Sequence, residues 1–476
     1  MTAAPATPPQ APSRTGRAAG AAPPRPAPPE PLEAGAFRNA RVAEIDLGEG
    51  LRSLAAEVDR DDGRAILTLV RLHGRPLGMV LLSSGAQRRA MRAWPEEVRH
   101  GVGEALVEHL AADGRTSLDP PSTGELWRGL AAEEPPCLAE RRRALADAPA
   151  ISVIVATRNR PALLRRCLDS LLLLEYPSYE VLVVDNDPPT GETEEVVRST
   201  YEPTGKVRYL SEGRRGLGAA HNRGLAEATG ALVAFTDDDV VVDRHWLGAI
   251  AESFASRPGV ACVTGLIVPA ELETLAQALL ESHGAFAKGF RTKVVDTGAN
   301  RPPDPLFPFA VGQLGSGANM AFETAVLRGL GGFDAALGTG TLAKGGDDLA
   351  AFLAVLGTGR ALAYEPSAIV WHRHRRDLPS LRGQVYGYGV GLGAYLASAL
   401  AHEPRLALDA LRHAPAGLAH VLRPDSARNR TRPAGWPPRL VRLELAGMAY
   451  GPVAYALSRA RGRSGRTPCP GRPRSA

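Results

Sequence analysis

The chain has 476 residues, of which 44% are hydrophobic and 22% charged, so several domains with buried cores are expected. The net charge of +5 is concentrated at one end, because 14 arginines face four acidic residues from position 401 onward, a balance of +10. This distribution argues against a basic surface spread over the fold, and no nucleic-acid partner is expected. The basic end is either a solvated tail or a surface attracted to anionic lipid head groups or an anionic acceptor.

The four cysteines, Cys137, Cys167, Cys262 and Cys469, form no CxxC pair. Their scatter argues against a disulfide scaffold or a zinc ribbon and fits a reducing compartment. The N-terminal stretch has no apolar run typical of a secretory signal, and the apolar stretch 385–401 is interrupted by glycines and tyrosines. We therefore expect a cytoplasmic protein that is either free or peripheral at the inner face of the cell membrane.

Composition predicts a tail and a small module before the main domain. Residues 1–35 are rich in proline and alanine without apolar periodicity and are predicted to be disordered. Residues 36–112 contain two strand-like runs joined at His73–Arg75 and an amphipathic helical pattern at Pro95–Ala111, which predicts an α+β accessory module with a structural or docking role. The segments that follow are a linker (113–148), an α/β domain (149–380), a helical region (381–458) and a basic disordered tail (459–476).

From Ile151 onward, apolar runs of strand length alternate with helical patterns. The runs cover 151–157, 179–186, 207–212 and 231–239, and the helical patterns cover 161–174, 192–200 and 217–228. This alternation is typical of an α/β fold, a doubly wound and mostly parallel sheet covered by helices on both faces. Helical patterns at 381–400, 405–422 and 440–458 follow it and could pack on this domain, cover the acceptor side or lie on a membrane.

Polar residues follow three of these strands, at the edge where such sheets bind ligands. They are Thr157-Arg158-Asn159-Arg160, Asp185-Asn186-Asp187 and Asp237-Asp238-Asp239. The first turn contains neither GxGxxG nor GxxxxGK[ST], which argues against a hydride-transfer enzyme and a P-loop NTPase.

Three clusters could carry chemistry, each with a plain alternative. The carboxylates of Asp237–Asp239 repel one another, and Mg²⁺ or Mn²⁺ would relieve that repulsion, although an acidic turn capping the next helix is the alternative. The pair Asp347–Asp348 precedes a helical pattern, where capping is the alternative. His372 and His374 point to one face of an extended segment, so either could complete a metal site, or both could belong to a basic surface patch.

The order of these motifs resembles that of the family 2 glycosyltransferases of the GT-A fold over about 150–376. It runs TRNRP, VVDN, the glycine-punctuated 216–224, FTDDD, GGDDL and WHRH. The resemblance implies that the nucleotide sugar is bound by Thr157, Arg158, Asn159, Asp185, Asn186, Asn222, Arg223, Asp237 and Asp238. It implies a pocket for donor sugar and acceptor at Gly317 and Asn319, a metal at Asp237 and Asp239 with His372 or His374, and a catalytic base at Asp348 beside Asp347.

Two departures from the family pattern bear on the chemistry. The usual Ala-Arg-Asn is Ala220-His221-Asn222, so a cation near the phosphates is weakened or titratable. The usual Glu-Asp is Asp347-Asp348, and the acid expected two residues later is Ala350.

The resemblance implies metal-assisted, inverting transfer of a sugar from a nucleotide-diphosphate sugar to a hydroxyl of a carbohydrate, lipid-linked or small-molecule acceptor. One base without an evident second nucleophilic carboxylate also favours a single displacement. The alternatives are a non-catalytic nucleotide-sugar-binding protein and a metal-dependent nucleotidyltransferase, although the first loop lacks the glycines and lysine expected of the latter.

Overall fold

The computed structural model describes residues 39–57, 63–83, 87–115, 117, 119–130, 135–282, 286–402, 412, 416–417, 419, 423, 426 and 436–464. The tail predicted at 1–35, most of the helix predicted at 405–422 and most of the basic tail predicted at 459–476 lie outside these residues.

The N-terminal module is a three-stranded sheet with a long helix packed on it. Its elements are β1 (Arg41–Asp46), α1 (Leu51–Glu57), β2 (Ile66–Leu72), β3 (Arg75–Leu82) and α2 (Gln87–Ala112). Strand β2 pairs parallel to β1 and antiparallel to β3, so the predicted hairpin is confirmed. Helix α2 begins before the apolar pattern does, and it buries Val98, Val102 and Leu106 against the sheet because these residues share one helical face.

The stretch expected to be a linker contains two helices, α3 (Thr123–Arg128) and α4 (Pro136–Ala146). Helix α3 starts with a capping box, in which the Ser122 side chain accepts from the Glu125 backbone and the Glu125 carboxylate accepts from the Ser122 backbone. Helix α4 packs against α8 (Trp246–Ser256) of the main domain. The connection between module and main domain is therefore a packed structure.

The main domain is built on a nine-stranded sheet. Its strands are β4 (Ile151–Thr157), β5 (Tyr179–Asn186), β6 (Val207–Glu212), β7 (Leu232–Asp237), β8 (Val240–Val242), β9 (Val260–Pro269), β10 (Lys293–Val295), β11 (Asn319–Glu323) and β12 (Ala361–His372). They lie in the order β10-β12-β9-β11-β7-β4-β5-β6, with β8 beside β12. The strands β7-β4-β5-β6 are parallel as expected, and β11 runs antiparallel between β9 and β7, so the whole sheet is mixed.

Helices cover both faces of this sheet, and the α/β prediction is confirmed. In addition to α8 they are α5 (Pro161–Leu172), α6 (Glu192–Val196), α7 (Leu217–Glu227), α9 (Leu275–Ser282), α10 (Thr324–Gly329), α11 (Asp347–Gly357), α12 (Leu378–His402) and α13 (Pro438–Ser464). Alternate residues of each strand enter opposite cores: on β4, Val153 and Val155 enter one, and Ile154 enters the other.

The C-terminal helices α12 and α13 approach each other at backbone distance. A Cβ added to Gly393 would overlap the Met448 carbonyl, and one added to Gly451 would overlap the backbone of Gly393. Small residues thus permit this close crossing. Among the described residues, no helix combines the length and apolar character needed to cross a bilayer.

Candidate functional site

The polar ends of β4 and β7 meet because the two strands are parallel neighbours, with Ala156 beside Asp237. The middle carboxylate of the aspartate triplet, Asp238, turns inward and accepts a hydrogen bond from the Thr157 hydroxyl at 2.7 Å. One guanidinium nitrogen of Arg160 donates to Asp238 at 3.0 Å and to Asp239 at 3.3 Å. Asp238 therefore anchors the turn between the two outer carboxylates.

The outer carboxylates of this triplet meet a histidine. Possible ligand atoms of Asp237, Asp239 and His372 all lie within 4.8 Å of one another, and His372 Nε2 is 3.4 Å from Asp239 Oδ1. The pairing of β8 with β12 makes this meeting possible, since it sets His372 opposite Val240, just beyond the triplet. Carboxylate oxygens with one imidazole nitrogen form a donor set that fits Mn²⁺ or Mg²⁺.

The two histidines predicted as alternative ligands occupy different positions. His372 Nδ1 is 3.2 Å from His374 Nδ1, and His374 Nε2 is 2.9 Å from Glu281 Oε2. A carboxylate only accepts, so His374 donates from Nε2 and accepts at Nδ1 from His372, which leaves His372 Nε2 facing Asp239. This nitrogen donates to Asp239 while the ring is protonated and offers a lone pair to a cation once that proton is lost. His374 thus lies behind His372 and orients it. Glu281, which ends this chain of hydrogen bonds, has no sequence signal.

Burial and neighbouring charges shift the pKa values of Asp237 and Asp239 in opposite directions. Burial and the neighbouring charge of Asp239 raise the pKa of Asp237 to about 7. Burial acts in the same direction on Asp239, but the hydrogen bond and charge of His372, together with Arg160, outweigh it and lower the pKa of Asp239 to about 2. Close carboxylates in a buried setting are those that a cation stabilises most.

The second acidic pair begins α11. The Asp348 carboxylate accepts from the Gly317 backbone at 2.9 Å and from the Leu349 backbone at 2.8 Å. Asp347 is buried, and burial together with the charges of Asp348 and Asp237 raises the pKa of Asp347 to about 8. The two acidic clusters therefore share one electrostatic environment, and Gly317 lies beside Asp348.

A lysine that the sequence analysis missed faces the second pair. Burial and the nearby Lys293 lower the pKa of Lys288, and the charge of Lys288 in turn favours the ionised form of Asp348. The chain has only four lysines, which could have drawn attention to Lys288, but nothing in its local sequence connects it with Asp348.

His221, at the position of the usual arginine, is enclosed in the core. Its ring centroid is 4.9 Å from those of both Phe235 and Phe333. Burial lowers the pKa of His221 to about 3, so the side chain is neutral near pH 7. A neutral ring brings no positive charge to a phosphate.

The residues expected to contact the nucleotide are held in different ways. Asp185 accepts from the Tyr209 hydroxyl at 3.1 Å, while its buried Oδ1 has no hydrogen-bond partner among the described residues. Arg158 pairs with Asp187 at 3.1 Å. The side chain of Asn186 shapes the turn before α7, since it donates to the Arg214 carbonyl and accepts from the Gly216 backbone.

Three further predicted residues make their contacts within the fold. Asn159, at φ 54°, accepts from the Thr190 hydroxyl at 3.4 Å on the surface. Asn222 holds the backbone of Phe333 through two hydrogen bonds, both at 2.8 Å. Arg223 pairs along its helix with Glu227 at 3.1 Å.

Asn319 is enclosed in the sheet. It is 1% exposed and accepts from the Trp246 indole at 2.9 Å. Its amide group donates to the Leu266 carbonyl at 3.0 Å and to the Ala368 carbonyl at 2.8 Å. Asn319 therefore joins β11 to both strands beside the irregularity between β9 and β12.

Comparison with known proteins relates part of this chain to a described family. The model of "Glycosyl transferase family 2" matches residues 152–312. This segment belongs to glycosyl transferase family 2. The chain is 28% identical over 230 residues to the pre-mycofactocin glycosyltransferase of Mycobacterium tuberculosis, covering 48% of this chain and 43% of the relative. It is 35% identical over 102 residues to glycosyltransferase AglE of Haloferax volcanii, covering 21% and 33%.

The matched segments span less than half the length of these relatives. Among solved structures, the mannosyltransferase PcManGT of Pyrobaculum calidifontis, in complex with GDP-Man and Mn²⁺, aligns with a TM-score of 0.40 and 20% identity, covering 70% of this chain and 84% of that one.

Proposed function

We propose that the protein transfers a sugar from a nucleotide-diphosphate sugar to an acceptor hydroxyl, with inversion at the anomeric carbon. The observation that carries the proposal is the meeting of Asp237, Asp239 and His372 in the environment that also holds the Asp347–Asp348 pair. The family 2 match supports it, because the matched residues 152–312 include Asp237 and Asp239.

Asp237, Asp239 and His372 would hold a divalent cation. When bound, the cation supplies positive charge to the departing diphosphate. The chain's own residues prepare this site: Arg160 and Thr157 fix the turn through Asp238, and His374 with Glu281 keeps the lone pair of His372 available. In this proposal the Oδ1 atom of Asp185, which has no hydrogen-bond partner among the described residues, would accept a hydrogen bond from the nucleotide.

Asp348 is the proposed general base. It takes the acceptor hydroxyl proton while the acceptor oxygen forms its bond to the anomeric carbon and the nucleoside diphosphate leaves with the electron pair. Two backbone N–H groups orient the Asp348 carboxylate, and burial raises its pKa towards the range in which a base works best near neutral pH.

The first test of this proposal is calorimetry of the full chain with UDP, GDP and dTDP, each with and without Mn²⁺. We expect binding of one nucleotide that strengthens with Mn²⁺ and is lost in Asp239→Ala. Glu140→Gln, which removes an exposed acid on α4, should bind as the parent does. Nucleotide binding that ignores both Mn²⁺ and the Asp239 substitution would contradict the assigned cation site.

Product analysis then separates the proposed transferase from the alternatives. A glycosyltransferase releases nucleoside diphosphate from the sugar nucleotide, whereas a nucleotidyltransferase releases pyrophosphate. A non-catalytic binding protein would bind the sugar nucleotide and release neither product with any acceptor offered. Inversion would be read from the anomeric configuration of the product by NMR.

We also propose that α13 lies on an anionic membrane surface. Tyr450, Val453 and Leu457 share one face of this helix and are 37%, 53% and 47% exposed, and the chain from residue 401 onward carries a net charge of +10. Full-length protein should float with phosphatidylglycerol vesicles and remain behind with phosphatidylcholine, and Leu457→Asp should reduce flotation. Equal recovery with both lipids would contradict the proposal.

A further inference from the structure

A second group of metal-ligating side chains lies outside the family 2 domain. We call it the hairpin cluster, and its members are His73, His109, Asp113 and Cys137. They come from three places: the turn of the β2–β3 hairpin, the C-terminal end of α2 and the first turn of α4. The four side chains are almost completely enclosed, with exposed fractions of 10% or less for the two histidines and the aspartate.

The four donor atoms lie at the corners of a tetrahedron. His73 Nδ1 is 3.2 Å from His109 Nε2, 3.0 Å from Asp113 Oδ2 and 3.4 Å from Cys137 Sγ. The remaining three edges are 3.2 Å between His109 and Asp113, 3.7 Å between His109 and Cys137, and 3.1 Å between Cys137 and Asp113.

These edges match those expected around zinc. Zinc bonds are about 2.0–2.1 Å long to nitrogen and oxygen and about 2.3 Å long to sulfur. In a tetrahedral shell two nitrogen or oxygen donors are then about 3.3 Å apart, and a sulfur donor is about 3.5 Å from each of the others. Every observed edge lies within about 0.4 Å of the expected value. Four separate groups thus already have the spacing of one coordination shell.

Hydrogen bonding alone does not account for this arrangement. The two imidazoles and the thiol can direct at most three hydrogen atoms inward, and each hydrogen atom forms one good hydrogen bond. Hydrogen bonds therefore explain at most three of the six short contacts. A central cation would contact all four donors at once. One thiolate and one carboxylate would also neutralise its two positive charges, which removes the electrostatic penalty of burying it.

Neighbouring groups hold the donors in place. The Cys137 backbone N–H donates to Asp113 Oδ1 at 3.0 Å, which turns Oδ2 towards the centre. The Asp46 carboxylate accepts from the backbones of His73 at 3.1 Å and Gly74 at 2.6 Å. These bonds stabilise His73 at φ 55°, a left-handed conformation uncommon for histidine, and so direct its ring into the cluster.

We propose that the hairpin cluster binds one structural Zn²⁺ ion. A set of four protein donors leaves no position open for a substrate, and a thiolate ligand favours zinc over Mg²⁺ or Mn²⁺. The ion joins the accessory module to α4, which packs on α8 of the family 2 domain. Two ion pairs lie at the same junction, from Arg75 and Arg141 to Glu252, at 2.5 and 3.6 Å.

The test is metal analysis of the purified full chain, followed by replacement of the bound metal with Co²⁺. We expect one zinc per chain and, with Co²⁺, a thiolate-to-cobalt charge-transfer band together with the intense visible bands of tetrahedral cobalt. Cys137→Ala should lose both, whereas Cys262→Ala, which removes a buried thiol elsewhere, should keep them. His109→Ala and the exposed His100→Ala on the same helix form a second matched pair.

Asp239→Ala separates this site from the cation site in the cleft, since it should leave the thiolate–cobalt band intact. Removing zinc should lower the thermal midpoint, and one equivalent of Zn²⁺ should restore it. A wild-type chain that binds neither zinc nor Co²⁺ with a thiolate band would overturn the proposal, and that measurement needs no variant to fold. Retention of the band in Cys137→Ala would overturn it as well.

Discussion

Replacing Asn319 by alanine tests whether this residue serves the sheet or a sugar pocket. In the structure its side chain satisfies three buried groups: the Trp246 indole N–H and the carbonyls of Leu266 and Ala368. Leaving a buried polar group without a partner costs about 1–3 kcal/mol. If each of the three groups loses its partner at a cost in the lower half of that range, Asn319→Ala destabilises the folded state by about 3–6 kcal/mol.

Thermal unfolding of the full chain, followed by circular dichroism, is the assay. For a domain of this size each kcal/mol shifts the midpoint by about 2–4 °C, so Asn319→Ala should lower the midpoint by about 6–24 °C. Asn300→Ala, which removes an exposed amide, should change it by about 1–2 °C at most. An Asn319→Ala protein with an unchanged midpoint and weakened binding of the sugar nucleotide would refute the structural role and favour the pocket role.

Three further predictions concern the base, the packing beside Asn319 and the response to acid. Asp348→Asn should reduce transfer by about 10²–10⁴-fold while nucleotide binding, measured by calorimetry, is retained; near-native turnover would refute its role as base. Gly265→Ala should lower the thermal midpoint because its Cβ would overlap the Ala368 carbonyl, whereas Gly357→Ala, which meets nothing within 4 Å, should not. Burial raises the pKa of Glu180, but the hydrogen bonds that its carboxylate accepts outweigh burial, so the pKa is lowered overall. The ionised Glu180 side chain should therefore stabilise the fold fully above about pH 4.3, and this stabilisation should be lost in stronger acid. Urea unfolding of Glu180→Gln should therefore differ from the parent at pH 7 and converge with it on acidification; a constant difference would contradict this reasoning.

The parallel strands and the acidic clusters could be predicted from sequence because their signals are local. A buried parallel strand reads as a continuous apolar run, and the polar residues that follow it lie at the carboxyl edge of the sheet. The sequence therefore predicts that Asp237 and Asp239 lie with Thr157 at one edge of the sheet. The sequence does not choose between His372 and His374, because alternation along a strand puts both rings on the same face.

Tertiary structure decided what each of these side chains contacts. Asn319 fits a pocket motif by sequence, but its neighbours are Trp246 and two carbonyls from strands that lie more than 40 residues away. The hairpin cluster is the extreme case, since Cys137 is 64 residues from His73 and no spacing rule joins them. A sequence determines the hydrophobic periodicity of each element and the chemistry of its local motifs. A coordination shell or a buried hydrogen-bond network depends on distances between remote residues, and only the packing of the chain sets these distances.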